Sequence, residues 1–143
     1  MELAYPVNLS LQDDGSILVT FPGVPEALTD GETEAEALAE ALDCLIAALG
    51  GYINDRRDIP RPSRPKRGQP VVALPPLVSA KLALYQAMRD AGITRVALGE
   101  RLGVSEGAVR RLLDLDHRSH IGQIDAALVA LGKRLVVEVR DAA

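Results

Sequence analysis

The stretch from Thr94 to Leu113, TRVALGERLGVSEGAVRRLL, constrains the fold of this chain more than any other. Its spacing fits a helix-turn-helix. Leu98, Leu102, Val109 and Leu112 fall where such a unit needs core contacts. Gly99 falls where two helices approach too closely for a large side chain. Gly103, Val104 and Ser105 then make the turn: glycine permits positive φ, valine plugs the core, and serine caps the next helix. That helix is expected from about Ser105 to Asp114. With Val109 and Leu112 inward, the 3.6-residue period turns Glu106, Gly107, Arg110, Arg111 and Asp114 outward. The pattern predicts a DNA-binding module; the bland alternative is a helical hairpin that merely packs.

On the outward face, Glu106 could accept a hydrogen bond from a cytosine amino group, and Arg110 or Arg111 could grip a guanine edge. Either arginine could equally hold only phosphates, since half or more of protein–DNA hydrogen bonds go to the backbone. Arg95 and Arg101 before this helix, and Arg118 after it, suit phosphate better than bases. The candidate DNA contacts are therefore Arg95, Ser105, Glu106, Gly107, Arg110, Arg111 and Arg118.

At 143 residues the chain can hold one medium domain or two small ones. It has no apolar run long enough to span a membrane and no signal-peptide pattern at its start. A single cysteine excludes an internal disulfide, which suits a reducing cytoplasm. Cys44, among Leu42, Leu45 and Ile46, reads as a buried thiol. The net charge of −4 conceals a division: residues 1–55 carry eleven acidic side chains and no lysine or arginine, whereas residues 56–143 carry sixteen basic and nine acidic ones. A basic half suits nucleic acid, and an acidic half attracts something basic.

Two strand-like runs open the chain, Leu3 to Leu11 and Ser16 to Phe21, around Asp14-Gly15, a hairpin signal. Pro22 to Gly31 reads as a loop. A helix begins at Thr33, which forms a capping-box pattern with Glu36. Its stripe is Leu38, Leu42, Leu45 and Leu49, and Gly50-Gly51 should stop it. The acids crowding its first half favour the helix dipole, so they describe a solvated, well-capped helix as readily as a binding face. Residues 54–70 are polar, basic and proline-rich, a connector with freedom to move whose basic residues could touch phosphate. Val71 to Leu74 should be a strand joining the N-terminal sheet. A helix from about Leu77 to Ala91 follows, with Leu82, Tyr85 and Met88 at core spacing.

After the recognition helix, His117 and His120 lie near acids, but no cysteine accompanies them and their spacing fits no zinc pattern, so no metal or cofactor is expected. A helix from Ile121 to Leu131 precedes Arg134 to Arg140, which reads as a strand. A lone strand leaves an unpaired edge, and pairing through Leu135, Val136, Val137 and Val139 with a second subunit is the natural remedy.

At this point the chain resembles the HicB antitoxin family, in the subgroup with a C-terminal helix-turn-helix, over nearly its full length. The resemblance rests on Tyr5-Pro6-Val7, the Asp14-Gly15 hairpin, Phe21-Pro22, Pro25-Glu26-Ala27, Thr29-Asp30-Gly31, Glu36-Ala37-Leu38 with Ala41, Ile59-Pro60 with Pro62-Ser63, Leu74-Pro75, Lys81-Leu82 with Tyr85, and the tail VRRLLDLDHRSHI followed by ALGKRLVVEV. Gly23 departs from the pattern, which leads one to expect aspartate there. The resemblance implies an α+β protein: residues 1–75 as a partial RNase H-like, toxin-binding domain, and residues 76–143 as a lambda-repressor-like helix-turn-helix domain with a C-terminal dimerisation strand. It also implies a HicA-type toxin as partner, a small basic ribonuclease, and an operator with inverted repeats bound by a homodimer or tetramer in the cytoplasm. Pro22, Pro25, Glu26, Asp30, Glu32, Glu34, Glu36 and Glu40 are the expected toxin contacts.

An RNase H-like fold raises the question of catalysis. Two-metal nucleases need clustered carboxylates. Asp13 and Asp14 lie in the hairpin turn, most other N-terminal acids lie on one capped helix, and residues 1–55 offer no basic groove, so no enzyme is expected. The remaining alternative is a transcription regulator whose N-terminal domain senses a small ligand.

Overall fold

A computed structural model describes residues 3–142 of the chain. Two compact units divide between Ser79 and Ala80.

In the first unit the expected strand from Leu3 to Leu11 is two strands, β1 (Ala4–Pro6) and β2 (Asn8–Leu11). They part at Val7, whose N–H donates to the Pro70 carbonyl at 3.0 Å. Pro6 is the last residue of β1, and from Asn8 the chain pairs with a different strand. β2 pairs antiparallel with β3 (Ile17–Thr20) through the hairpin. Gly15 takes φ of 87°, and the Ser16 N–H and hydroxyl both donate to Asp14 Oδ1, at 2.9 and 2.6 Å, so the Asp-Gly signal forms the turn that was expected of it. β3 pairs in turn with β4 (Leu28–Gly31), a strand inside the stretch expected to be loop. The turn residues Pro22, Gly23 and Pro25 act only as far as Ala27, where two short backbone bonds, Val24 to Phe21 and Ala27 to Val24, close the loop. β5 (Val71–Ala73) forms, but pairs with β1 and not with the β2-β3-β4 sheet.

One helix, α1 (Glu34–Asn54), lies against β3 and β4. Thr33 caps it, its hydroxyl accepting the Glu36 N–H at 3.1 Å. The buried stripe is Ala37, Ala41, Leu45, Leu49 and Tyr52. Leu38 and Leu42 are only half-buried, one position off the expected stripe. The cause is visible at Gly31: a Cβ there would stand 2.5 Å from the Ala37 nitrogen, so helix and strand meet backbone to backbone and small residues take the contact. Gly50-Gly51 does not stop the helix, which runs a further turn to bury Tyr52. Cys44 is half-buried instead of buried, its Sγ 3.5 Å from the Leu28 carbonyl.

Between α1 and β5 the basic, proline-rich segment has no regular structure, yet side chains pin it. The Tyr5 hydroxyl donates to the Pro60 carbonyl at 2.7 Å, and burial pushes that phenol's pKa up to about 12. Gln69 donates to Asn8 Oδ1 at 3.0 Å and accepts the Lys66 N–H at 2.9 Å.

The second unit is helical. Most of α2 (Pro76–Ala91) belongs to it, followed by α3 (Arg95–Leu102), α4 (Glu106–Leu113) and α5 (Ile121–Ala130). Gly92, at φ of 64°, ends α2 while Ile93 N–H returns to the Met88 carbonyl. Leu82, Leu84, Tyr85 and Met88 of α2, Leu98 of α3, Val109, Leu112 and Leu113 of α4, and Ile124 and Leu128 of α5 are buried. Each large apolar side chain so buried contributes about 1.5–3 kcal/mol. Beyond α5, Arg134 to Arg140 forms no strand with any described residue; Leu135 is half-buried, and Val136, Val137 and Val139 are exposed.

Candidate DNA-binding face and candidate partner face

The α3–turn–α4 unit forms as its residue types require. Thr94 caps α3 and Ser105 caps α4, each hydroxyl accepting the N–H three residues on at 3.1 Å. Gly103 sits in the left-handed region at φ 70° and ψ 30°. A Cβ on Gly99 would lie 2.7 Å from the Val104 carbonyl oxygen, so α3 tolerates no side chain there. The same contact corrects the role expected of Val104. Its backbone meets α3, its side chain is exposed where a core plug was expected, and Leu102 is only half-buried.

On the outer face, Arg110 and Arg111 are exposed on α4, as is Arg118 in the loop that follows. Gly107 leaves room beside both arginines: a Cβ there would make ordinary contacts with their guanidinium tips at 3.7 Å and with Ser105 Oγ at 3.9 Å. Ser105 is committed to its cap. Glu106 is not a free acceptor either. Its Oε1 lies 3.3 Å from Arg95 Nε and its Oε2 3.7 Å from Arg110 Nη1. Arg101 reaches the Ala130 carbonyl at 3.4 Å, joining α3 to the end of α5.

Sequence reasoning assigned Lys81 no such role, although it positions this face. Its side chain is fully buried, and Nζ donates to the carbonyls of Arg111 (2.8 Å) and Leu112 (3.2 Å) and to Ser119 Oγ (2.8 Å). The two carbonyls belong to the last turn of α4, where helix carbonyls run short of N–H partners and the negative end of the helix dipole lies; the Arg111 carbonyl has besides only long bonds, among them the capping Asp114 N–H at 3.3 Å. Three donors meet three acceptors, so the buried ammonium is satisfied. Burial lowers the lysine pKa, and nearby Asp114 partly opposes that. Ser119 Oγ lies 3.1 Å from His117 Nδ1, tying the loop after α4 into the same cluster. Beside it, Leu102, Val104, Ala108, Leu112 and Ala126 floor an open cleft of about 180 Å³ rimmed by Arg111, His117 and Gln123.

In the first unit Asp30, Glu32, Glu34, Glu36 and Glu40 are all exposed, from the end of β4 through the first turns of α1. Pro22 and Pro25 are exposed on the preceding loop, and the large apolar Leu28 is 58% exposed beside them in the chain. Glu26 differs from the other acids. Its Oε2 accepts the Tyr52 hydroxyl at 2.7 Å and its Oε1 accepts from Arg57 Nη1 at 3.1 Å, while the guanidinium lies 4.0 Å over the Tyr52 ring. The tyrosine bond holds the Glu26 carboxyl below the usual carboxylate range, with a smaller contribution from Arg57. Glu26 thus serves its own fold. The charge division is also milder by fold than by chain position. The pinned segment from Arg56 to Arg67 belongs to the first unit, leaving twelve acidic and six basic residues there, against eight acidic and ten basic in the second.

Residues 4–83 match the family described as HicB_like antitoxin of bacterial toxin-antitoxin system. The chain belongs to the HicB-like antitoxin family. That match spans the whole β1–β5 and α1 unit and ends within α2, just past Lys81. The HicB-like relatives extend further. The chain is 37% identical to Antitoxin HicB 1 of Photorhabdus laumondii subsp. laumondii over 96% of its own length and 87% of the relative's. It is 39% identical to Antitoxin HicB 2 of the same organism, over 93% of this chain and 94% of the relative. It is 37% identical to Antitoxin HicB of Escherichia coli K12, over 93% and 96%. These alignments therefore run through α3 and α4 as well as through the first unit. Among the described residues no helix is long and apolar enough to cross a membrane.

Proposed function

We propose that this chain is the antitoxin of a toxin–antitoxin pair, masking a HicA-type ribonuclease with its first unit and repressing their shared operon with its second. On this reading residues 1–75, a reduced RNase H-like domain, bind the toxin. Residues 76–143, a lambda-repressor-like domain, bind an inverted-repeat operator as a dimer. The observation that carries it is the acidic surface from Asp30 to Glu40, lying within the very unit that the family match covers. Five exposed carboxylates on one strand end and one capped helix stand in for RNA phosphates toward a basic partner, and exposed Pro22, Pro25 and Leu28 supply apolar contact. Charge complementarity governs encounter and partner choice, while the apolar contacts slow dissociation. No observation favours the ligand-sensing regulator.

The test is co-expression of the full chain with a small basic protein encoded next to its gene, whose presence the reading requires, scored by growth and by recovery of a complex. Glu32→Lys with Glu36→Lys should slow association by roughly ten-fold or more at low salt and leave DNA binding intact. A wild-type chain that neither rescues growth nor co-purifies with that protein removes the antitoxin reading.

A further inference from the structure

Glu106 is an unexpected residue for a surface that must approach DNA. It occupies the first turn of α4, where the helix dipole favours an anion and where a phosphate would otherwise settle. Its carboxylate reaches two arginines on different helices, Arg95 of α3 at 3.3 Å and Arg110 of α4 at 3.7 Å. All three side chains remain partly exposed: 33% for Glu106, 43% for Arg95 and 63% for Arg110. Exposed pairs of this kind add little to stability. Their consequence lies in what the arginines are free to do.

We infer that Glu106 is a specificity-determining filter, an anion that restrains Arg95 and Arg110 from binding phosphate and so suppresses binding to DNA of arbitrary sequence. The inference rests on the DNA-binding reading of the second unit. Binding to arbitrary DNA is almost wholly phosphate electrostatics. To join it, Arg95 and Arg110 must leave Glu106, and the carboxylate must then face a phosphate with its charge uncompensated. Binding to the operator differs. Arg110, held along the exposed face of α4 by its i,i+4 partner, is already placed to present its guanidinium to a base edge in the groove, and gains there what phosphate alone does not supply. The cost therefore falls more heavily on wrong sequences than on the right one, which is how repulsive elements create specificity. This role differs from direct reading of cytosine, which needs a carboxylate free to accept.

The two roles separate in Glu106→Gln, measured in the full-length protein against a duplex of the region upstream of its gene and against random-sequence duplex over a range of salt. The filter predicts that random DNA is bound roughly ten-fold more tightly. Its salt slope should steepen by about one to two as the freed arginines take phosphates. Affinity for the upstream duplex should rise by less, so the ratio between the two falls. Adding Arg95→Gln to the variant should return part of the slope. An equal gain on both duplexes would mean simple loss of a negative charge and overturns the filter, as does no change on either. Loss of affinity confined to one base pair of the upstream duplex also overturns it, in favour of direct reading. If the wild-type protein shows no preference for the upstream duplex at all, the DNA-binding reading fails together with the inference built on it, a result distinct from the other three.

Discussion

Lys81 is an amine with no access to water, and its worth is set by what it satisfies. Without it, the Leu112 carbonyl loses its ammonium donor, and the Arg111 carbonyl keeps only two longer bonds, from the Ser119 hydroxyl and the Asp114 N–H, each at 3.3 Å. Each buried carbonyl deprived of a donor costs about 1–3 kcal/mol. Lys81→Met should therefore lower the stability of the helical unit by about 2 kcal/mol or more in urea unfolding. Lys81→Arg should not restore it, because a planar fork cannot converge on three acceptors placed around a point charge. Equal stability of Lys81→Met and wild type would show that water reaches the end of α4. None of this is legible locally. Position 81 reads as one more polar residue on a helix whose apolar neighbours are plain, and its acceptors lie some thirty residues away. Glu106 is similar: its outward orientation follows from periodicity, but its pairing with Arg95 depends on how α3 crosses α4.

Elements set by local chemistry were legible, and elements set by pairing were less so. The caps at Thr33 and Ser105, the Asp14-Gly15 turn and the positive-φ stops at Gly92 and Gly103 each follow from one residue and its immediate neighbours. β4 did not stand out, because Leu28-Thr-Asp-Gly has no strand-like composition and exists through its register with β3. The break at Val7 was hidden because both halves of the run look like strand, and only the partner changes. The Val-rich segment Leu135–Val139 is the inverse case, a strand-like composition with no partner strand among the described residues. Three of its valines are 70–92% exposed, an arrangement that invites edge pairing. If the proposed dimer forms through this edge, removing residues 133–143 should yield a monomer in sedimentation and abolish operator binding together, since one half-site contact is too weak alone. A truncated chain that stays dimeric would place the dimer contact elsewhere.

For the molecule as a whole, two units with separate cores should respond separately to strain. Gly31 and Gly99 are the sites to apply it, because a Cβ would press on backbone at 2.5 Å in the first unit and at 2.7 Å in the second. Gly31→Ala and Gly99→Ala should each cost about 1–3 kcal/mol, as overpacked cores do. Followed by amide signals in NMR, each should lower the melting of its own unit alone. A shared shift in both would make the protein one cooperative block. Stability should also vary within the first unit. The last turn of α1 contains Gly50 and Gly51, each about 1 kcal/mol poorer than alanine in a helix, and what holds it is Tyr52, bonded to Glu26 beneath the Arg57 guanidinium. That turn should therefore be the first part of α1 to open, seen as the earliest loss of amide protection in hydrogen exchange. Such an opening would take the Tyr52 hydroxyl from Glu26 and leave Arg57 as its remaining partner, so a carboxylate otherwise engaged in the fold would become more available to a basic protein.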